Sequence, residues 1–148
     1  MKKSKVLLSI LLGLLFSSFT HNKVETYTLT ITVNDLRNQK GQVQFALYNK
    51  DGSIPDEKYK NVYRMKMGEI INKSSTVSFE ELPLGNYAVN ILHDENKDGK
   101  IDKGWILPIE GIGFSNIETI SPFNKPNFNK ASFELNEDKK MTINILYL

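Results

Sequence analysis

Cysteine is absent from the 148 residues, and histidine occurs only twice. The first absence excludes disulfide scaffolds, thiolate zinc sites, cysteine nucleophiles and lipoprotein-type acylation at the N-terminus. The second removes most of the imidazole chemistry. His21 falls at an expected processing boundary, which leaves His93 as the one histidine in the body of the chain. Zinc catalysis needs more nitrogen ligands than that. Ser115, in the run GFSN, sits in no nucleophile-elbow context, so triad chemistry lacks its participants and turn hydrogen bonding accounts for the serine. No window of a dozen residues carries an apolar stripe at helical spacing. The best short candidate, Pro55 to Tyr63, is mostly polar, with four charged residues, so helix should be scarce. Internal repeats and low-complexity tracts are absent too, and the length allows one domain rather than two.

What is present begins with a tripartite leader. Lys2, Lys3 and Lys5 form a positive n-region, Val6 to Phe16 is apolar except for Ser9 and Gly13, and Ser17, Ser18 and Thr20 follow. This is the layout of a secretory signal peptide over residues 1–20, with cleavage expected between about Ser17 and His21. The apolar run falls short of the roughly 20 residues that span a bilayer. An uncleaved anchor is the alternative, because Phe16, Phe19 and Thr20 fit the small-residue rule loosely. Processing would remove three of the 19 basic residues and none of the 17 acidic ones, changing the formal charge from +2 to −1. Without a Lys/Arg stripe, such a domain has no electrostatic reason to hold a phosphate backbone, so nucleic acid is not an expected partner. The expected location is the periplasm or the cell exterior, with no membrane association after cleavage.

Residues 21–148 read as one all-β domain. From Tyr27 to Val33, Tyr27, Leu29, Ile31 and Val33 alternate with Thr28, Thr30 and Thr32, the period of a half-buried strand. Val43, Phe45 and Leu47 repeat the pattern after Gly41. The polar stretch from Asn34 to Lys40 suggests that these two strands form a hairpin or neighbours in one sheet. Further strands are expected at Val62 to Met67, Thr76 to Phe79, Asn86 to Leu92, Ala131 to Leu135 and Met141 to Tyr147, about seven in all. Short strands with turns every 8 to 12 residues point to a Greek-key sandwich. Gly104 to Lys130, rich in Gly and Pro, reads as a long irregular excursion over its surface. The aromatic residues Trp105, Phe114, Phe123 and Phe128 argue that it is packed.

One run carries chemistry. In HDENKDGKID, His93 to Asp102, the residues Asp94, Asn96, Asp98, Gly99, Lys100 and Asp102 occupy positions 1, 3, 5, 6, 7 and 9 of an EF-hand-type calcium loop. Calcium takes six to eight oxygens at about 2.3 to 2.6 Å. A short loop can offer alternate side chains and the Lys100 carbonyl to one ion only if a glycine permits the sharp turn. Two departures matter. Position 12 is Trp105 instead of a bidentate glutamate, and the loop follows a strand instead of a helix. Glu110 or water would have to complete the shell. The competing reading is a polar turn that binds nothing, since Asn, Asp and Gly are ordinary turn residues.

Taken together, LTITVNDLRNQKGQVQFALYN (29–49), FEELPLGNYAVNILHDENKDGKID (79–102), EGIGFSN (110–116) and PNFNKASFEL (126–135) resemble the domain-of-unknown-function family 2141. The resemblance spans about Leu29 to Tyr147. It implies a small exported bacterial protein with an immunoglobulin-like or prealbumin-like sandwich, and it supplies no catalytic residues. The LPLGNYAV corner is also similar to transthyretin-like and carboxypeptidase-regulatory domains, but the His/Arg set and tail of the hydroxyisourate hydrolases are missing. The resulting expectation is an exported, non-catalytic module that binds Ca2+ through its acidic loop and meets a protein or glycan partner. A metal-dependent hydrolase with His93 or Glu110 as base is one alternative. A carbohydrate-binding module using the aromatic 104–130 excursion is the other.

Overall fold

The computed structural model describes residues 24–102, 104, 109–121 and 123–148; the expected signal peptide and Trp105 lie outside the described residues. Eight strands form among them: β1 Thr26–Val33, β2 Gln42–Tyr48, β3 Arg64–Gly68, β4 Ser75–Pro83, β5 Gly85–Asp94, β6 Gly111–Phe114, β7 Phe133–Leu135 and β8 Lys139–Ile143. A single helical turn, α1 Phe128–Ala131, is capped by Asn127, whose side chain accepts from the Lys130 N–H. The chain is all-β.

Two sheets result. The first has the order β4-β1-β8, and the second β3-β2-β5-β6, with β7 pairing the start of β5. All pairings are antiparallel except β1 with β8. Leu29, Ile31 and Val33 of β1 bury one face of the first sheet, and Val43, Phe45, Leu47, Val89 and Ile91 bury the facing side of the second. They join in one apolar cluster, which makes the architecture sandwich-like. Along one side the sheets are joined by backbone bonds in both directions between Ile112 and Leu146, at 2.9 and 2.7 Å. Along the other, Arg64 and Lys66 of β3 donate to the Glu80 and Ser78 carbonyls of β4 at 2.6 and 2.5 Å, covering an edge that would otherwise offer free acceptors.

Five expectations need correction. β1 and β2 are not neighbours; they lie in different sheets and face each other across the core. Their connection from 34 to 41 lacks a two-residue hairpin turn, and buried Leu36 anchors it midway by donating its N–H to the Lys73 carbonyl. The 104–130 excursion is not wholly irregular, because Gly111–Phe114 adds to the edge of β5. Ala131 belongs to α1, so the next strand starts at Phe133, while β8 already ends at Ile143. Phe123 is 99% exposed, not packed.

The remaining excursion forms a third layer. Ala46, Tyr48 and Ala88 on the outer face of the second sheet are buried beneath Ile117, Phe128 and Ala131, together with Ile54. Every residue of β2 from Val43 to Tyr48 is therefore buried, on both faces. This cover positions the acidic loop, because it leaves the far end of the same outer face for polar groups.

Candidate functional site

The acidic loop leaves the end of β5, and strand alternation separates its first two residues. His93 points with Ile91 toward the inner face, whereas Asp94 points outward with Leu92 and Asn90. His93 is fully buried, and its ring nitrogens meet the Tyr147 hydroxyl at 2.8 Å and the Lys40 carbonyl at 3.0 Å. Of the loop residues it meets only the Glu95 carboxylate, 3.9 Å from its Nδ1, and none of the expected ligand positions.

Asp94 is 0% exposed. One carboxylate oxygen accepts the Asp98 N–H at 3.1 Å; the other accepts the Gly99 N–H at 3.1 Å and the Gln42 amide at 3.0 Å. The Asn96 side-chain oxygen also accepts the Asp98 N–H, at 2.9 Å, and Asp98 accepts the Lys100 N–H at 2.8 Å. Asn96 then donates to Asp102 at 2.9 Å, which ties position 3 to position 9. The backbone reverses twice, with positive φ at Lys97 (62°) and Gly99 (71°). Glycine tolerates the second reversal without steric penalty.

Glu110 closes the loop from outside it. Its two oxygens accept the Glu95 N–H at 2.8 Å and the Asp102 N–H at 3.3 Å, so one carboxylate spans both ends of the turn. It is only 4% exposed. Burial raises its pKa above the usual carboxylate range; the two N–H bonds oppose that shift, and the Asp102 and Asp94 carboxylates reinforce it. Beside it, Glu95 binds Arg37 and Asn38. Burial works against its ionisation, but the Asn38 amide and the Arg37 guanidinium outweigh that and hold its carboxyl below the usual range.

The structure thus brings Asp94, Asn96, Asp98, Lys100, Asp102 and Glu110 into one hydrogen-bonded network. Asp94 and Glu110 are buried, Asp102 is half-buried, and Asn96, Asp98 and Lys100 are exposed. Among the described residues, no three Asp, Glu, His or Cys side chains gather as a ready-made metal group. Ser115 is engaged elsewhere: its hydroxyl accepts from the Val89 N–H at 2.9 Å and donates to the Ala131 carbonyl at 2.6 Å.

Residues 31–144 match the model of the family described as "Uncharacterized protein conserved in bacteria (DUF2141)". The chain belongs to that family. No curated protein and no solved structure gives a significant match. The DUF2141 match runs from within β1 to the end of β8 and takes in the whole acidic loop, so the loop is part of the family's domain and not an appendage to it.

Three residues of the site carry no motif. Gln42 and Gln44 stand on the outer face of β2, where the register sets Gln42 opposite Asp94 and Gln44 opposite Leu92. Tyr59 comes from the loop between β2 and β3. Burial raises its pKa; the Gln44 amide counters this, and the Asp94, Glu110 and Asp56 carboxylates add to it. The only sequence signal was polarity at alternate positions of an otherwise apolar strand.

Proposed function

We propose that this DUF2141 protein is an exported, non-catalytic binding module whose 94–102 loop holds a calcium ion as a constitutive structural element. The observation that carries this reading is the buried carboxylate pair Asp94 and Glu110 at the base of a DxNxDGxxD loop. Two carboxylates out of water and compensated mainly by N–H donors form an environment that a divalent cation would stabilise. The donors are hard oxygens, which suit calcium rather than zinc.

Export rests on the leader at residues 1–20. The finer fold assignment, an immunoglobulin-like or prealbumin-like Greek key, is supported by the repeated crossing between sheets at β1–β2, β3–β4, β4–β5 and β7–β8. The non-catalytic reading is supported by His93, whose two nitrogens are taken up inside the sandwich, and by Ser115, whose hydroxyl serves the fold. A glycan platform finds less support: Phe114 is half-buried, Phe128 is buried, and Phe123 stands alone as an exposed ring of that stretch among the described residues.

Calorimetric titration of the purified protein with calcium and with magnesium tests the reading. Calcium should bind with a Kd on the order of 10⁻⁴ to 10⁻³ M, as in extracellular modules, and magnesium more weakly because it demands a smaller octahedral shell. Equal binding of both ions would contradict a calcium loop. Intact mass of the native protein tests cleavage of the leader: a start near residue 19 to 22 supports release of the mature domain, and an intact Met1 in the membrane fraction contradicts release and favours a membrane-tethered exported protein.

A further inference from the structure

The tripeptide Lys-Asp-Gly occurs twice, at 50–52 and at 97–99. In each copy the backbone nitrogen of the glycine can attack the aspartyl carboxyl before it, and glycine hinders that attack least because it has no side chain. In an unfolded chain the two copies would be equivalent. The fold makes them different. Gly99 donates its N–H to the buried Asp94 carboxylate at 3.1 Å, and Asp98 is turned to the Lys100 N–H, which its Oδ1 accepts at 2.8 Å. Nitrogen and carboxyl are thus held by other partners. In the loop after β2 they are held by each other: Gly52 donates its N–H to Oδ1 of Asp51 at 2.9 Å. Backbone conformation does not separate the two glycines, whose φ values are 74° and 71°. Surroundings do. Asp51 and Gly52 are exposed, and nothing stands within 4 Å of where a Cβ on Gly52 would lie. Ser53 closes the turn behind them, its N–H and hydroxyl both donating to the Lys50 carbonyl, at 3.3 and 2.6 Å.

We propose that Asp51 is a site of spontaneous isomerisation to isoaspartate in the folded protein, and that the fold protects Asp98 from the same reaction. This stands independently of the calcium reading. The Gly52 nitrogen bonds to Cγ of Asp51; the protonated carboxyl gives up its hydroxyl, which leaves with the amide proton as one water, and a five-membered cyclic imide results. Water then adds back. Cleavage of the new nitrogen–Cγ bond restores aspartate. Cleavage of the bond from that nitrogen to the main-chain carbonyl carbon of Asp51 leaves the chain running through Cγ, with a free α-carboxylate and unchanged mass. Only water leaves and enters, so no co-reactant is needed. Contact between nucleophile and electrophile favours closure at 51, and the open surroundings leave room for the peptide to rotate into line. At 98 that rotation must first break the bonds from Gly99 to Asp94 and from Lys100 to Asp98, so the reaction waits on local opening of the loop. The product at 51 carries one added methylene in the main chain, just before the buried residues Ser53 and Ile54.

The test ages the purified protein at neutral pH with a metal chelator present, once folded and once unfolded in guanidinium chloride. Isoaspartate is scored at each position by peptide mapping with electron-transfer fragmentation, and in total by methyl transfer from S-adenosylmethionine with an isoaspartyl methyltransferase. In the folded protein, conversion at Asp51 should outpace conversion at Asp98 by about tenfold or more. In the unfolded chain the two should convert at similar rates. Asp51→Glu changes only an exposed side chain, so it should fold as wild type does and lose most of the methyl acceptance, since its closure would need a six-membered ring. Equal conversion at both positions of the folded protein, or faster conversion at Asp98, overturns the proposal. So does a folded protein that stays unconverted while the unfolded one reacts, because the fold then protects Asp51 as well. A difference in guanidinium as large as that in the folded state overturns it too, by assigning the difference to neighbouring sequence instead of to the turn.

Discussion

Single residues in this protein divide between those that hold the loop and those that hold the fold, and pH separates them. Glu95 has its carboxyl held below the usual range in the folded state. A depressed folded value means that its contribution is fully present at neutral pH and is lost as pH falls through the carboxylate range toward that value. Arg37→Met removes one of the groups responsible. Urea melts at pH 7 and pH 3 should therefore show a smaller loss of stability on acidification in the variant than in wild type. An identical loss in both would mean that the ion pair contributes nothing measurable. Ser115 belongs to the second kind. Ser115→Ala would leave the Val89 N–H and the Ala131 carbonyl without their partner, which should cost about 1 to 3 kcal/mol in denaturant unfolding. Calcium affinity should be unchanged, because the serine touches none of the loop residues.

At the scale of elements, β6 decides how the sheets close. A Cβ on Gly113 would stand 2.6 Å from the Asn144 carbonyl oxygen and 3.1 Å from the Ile143 side chain. The strand approaches the 143–147 segment so closely that only glycine fits. Gly113→Ala should destabilise the domain by about 1 to 3 kcal/mol, as overpacking does; a thermal melt within a degree of wild type would show that the segment yields freely. The same strand shows why sequence reading reached some elements and not others. β1 and β4 announce themselves by apolar or β-branched residues at alternate positions, since each has one core face. In GIGF, two glycines remove the alternation, and the glycines are there because of a tertiary contact invisible in a local window. β2 misleads in the opposite way. Its outer residues Gln44 and Ala46 read as a solvated face, yet both are buried, Ala46 beneath Ile117, Phe128 and Ala131 and Gln44 beside Tyr59. The acidic loop was legible in full because its spacing is local. Its supports Gln42, Gln44 and Tyr59 were not, because they depend on register and packing.

On the scale of the whole molecule, the two sheets, the covering layer and the loop make a compact frame with one charged corner. Asp94, Asp98, Asp102 and Glu110 place four carboxylates there, two of them buried. Their mutual repulsion should make the folded state respond to a cation that binds it and not the unfolded chain, by RT ln(1 + [L]/Kd). With a Kd of about 10⁻⁴ M, millimolar calcium contributes on the order of 1.4 kcal/mol. For a domain of this size, that is a rise in Tm of several degrees. The most direct measurement is thermal unfolding of wild type and Asp98→Ala across a calcium series. The wild type should gain those degrees, and Asp98→Ala should fold in the absence of calcium and gain none. A wild-type Tm that stays constant up to about 10 mM calcium, far above the affinity range of such loops, would show that the corner is only a turn.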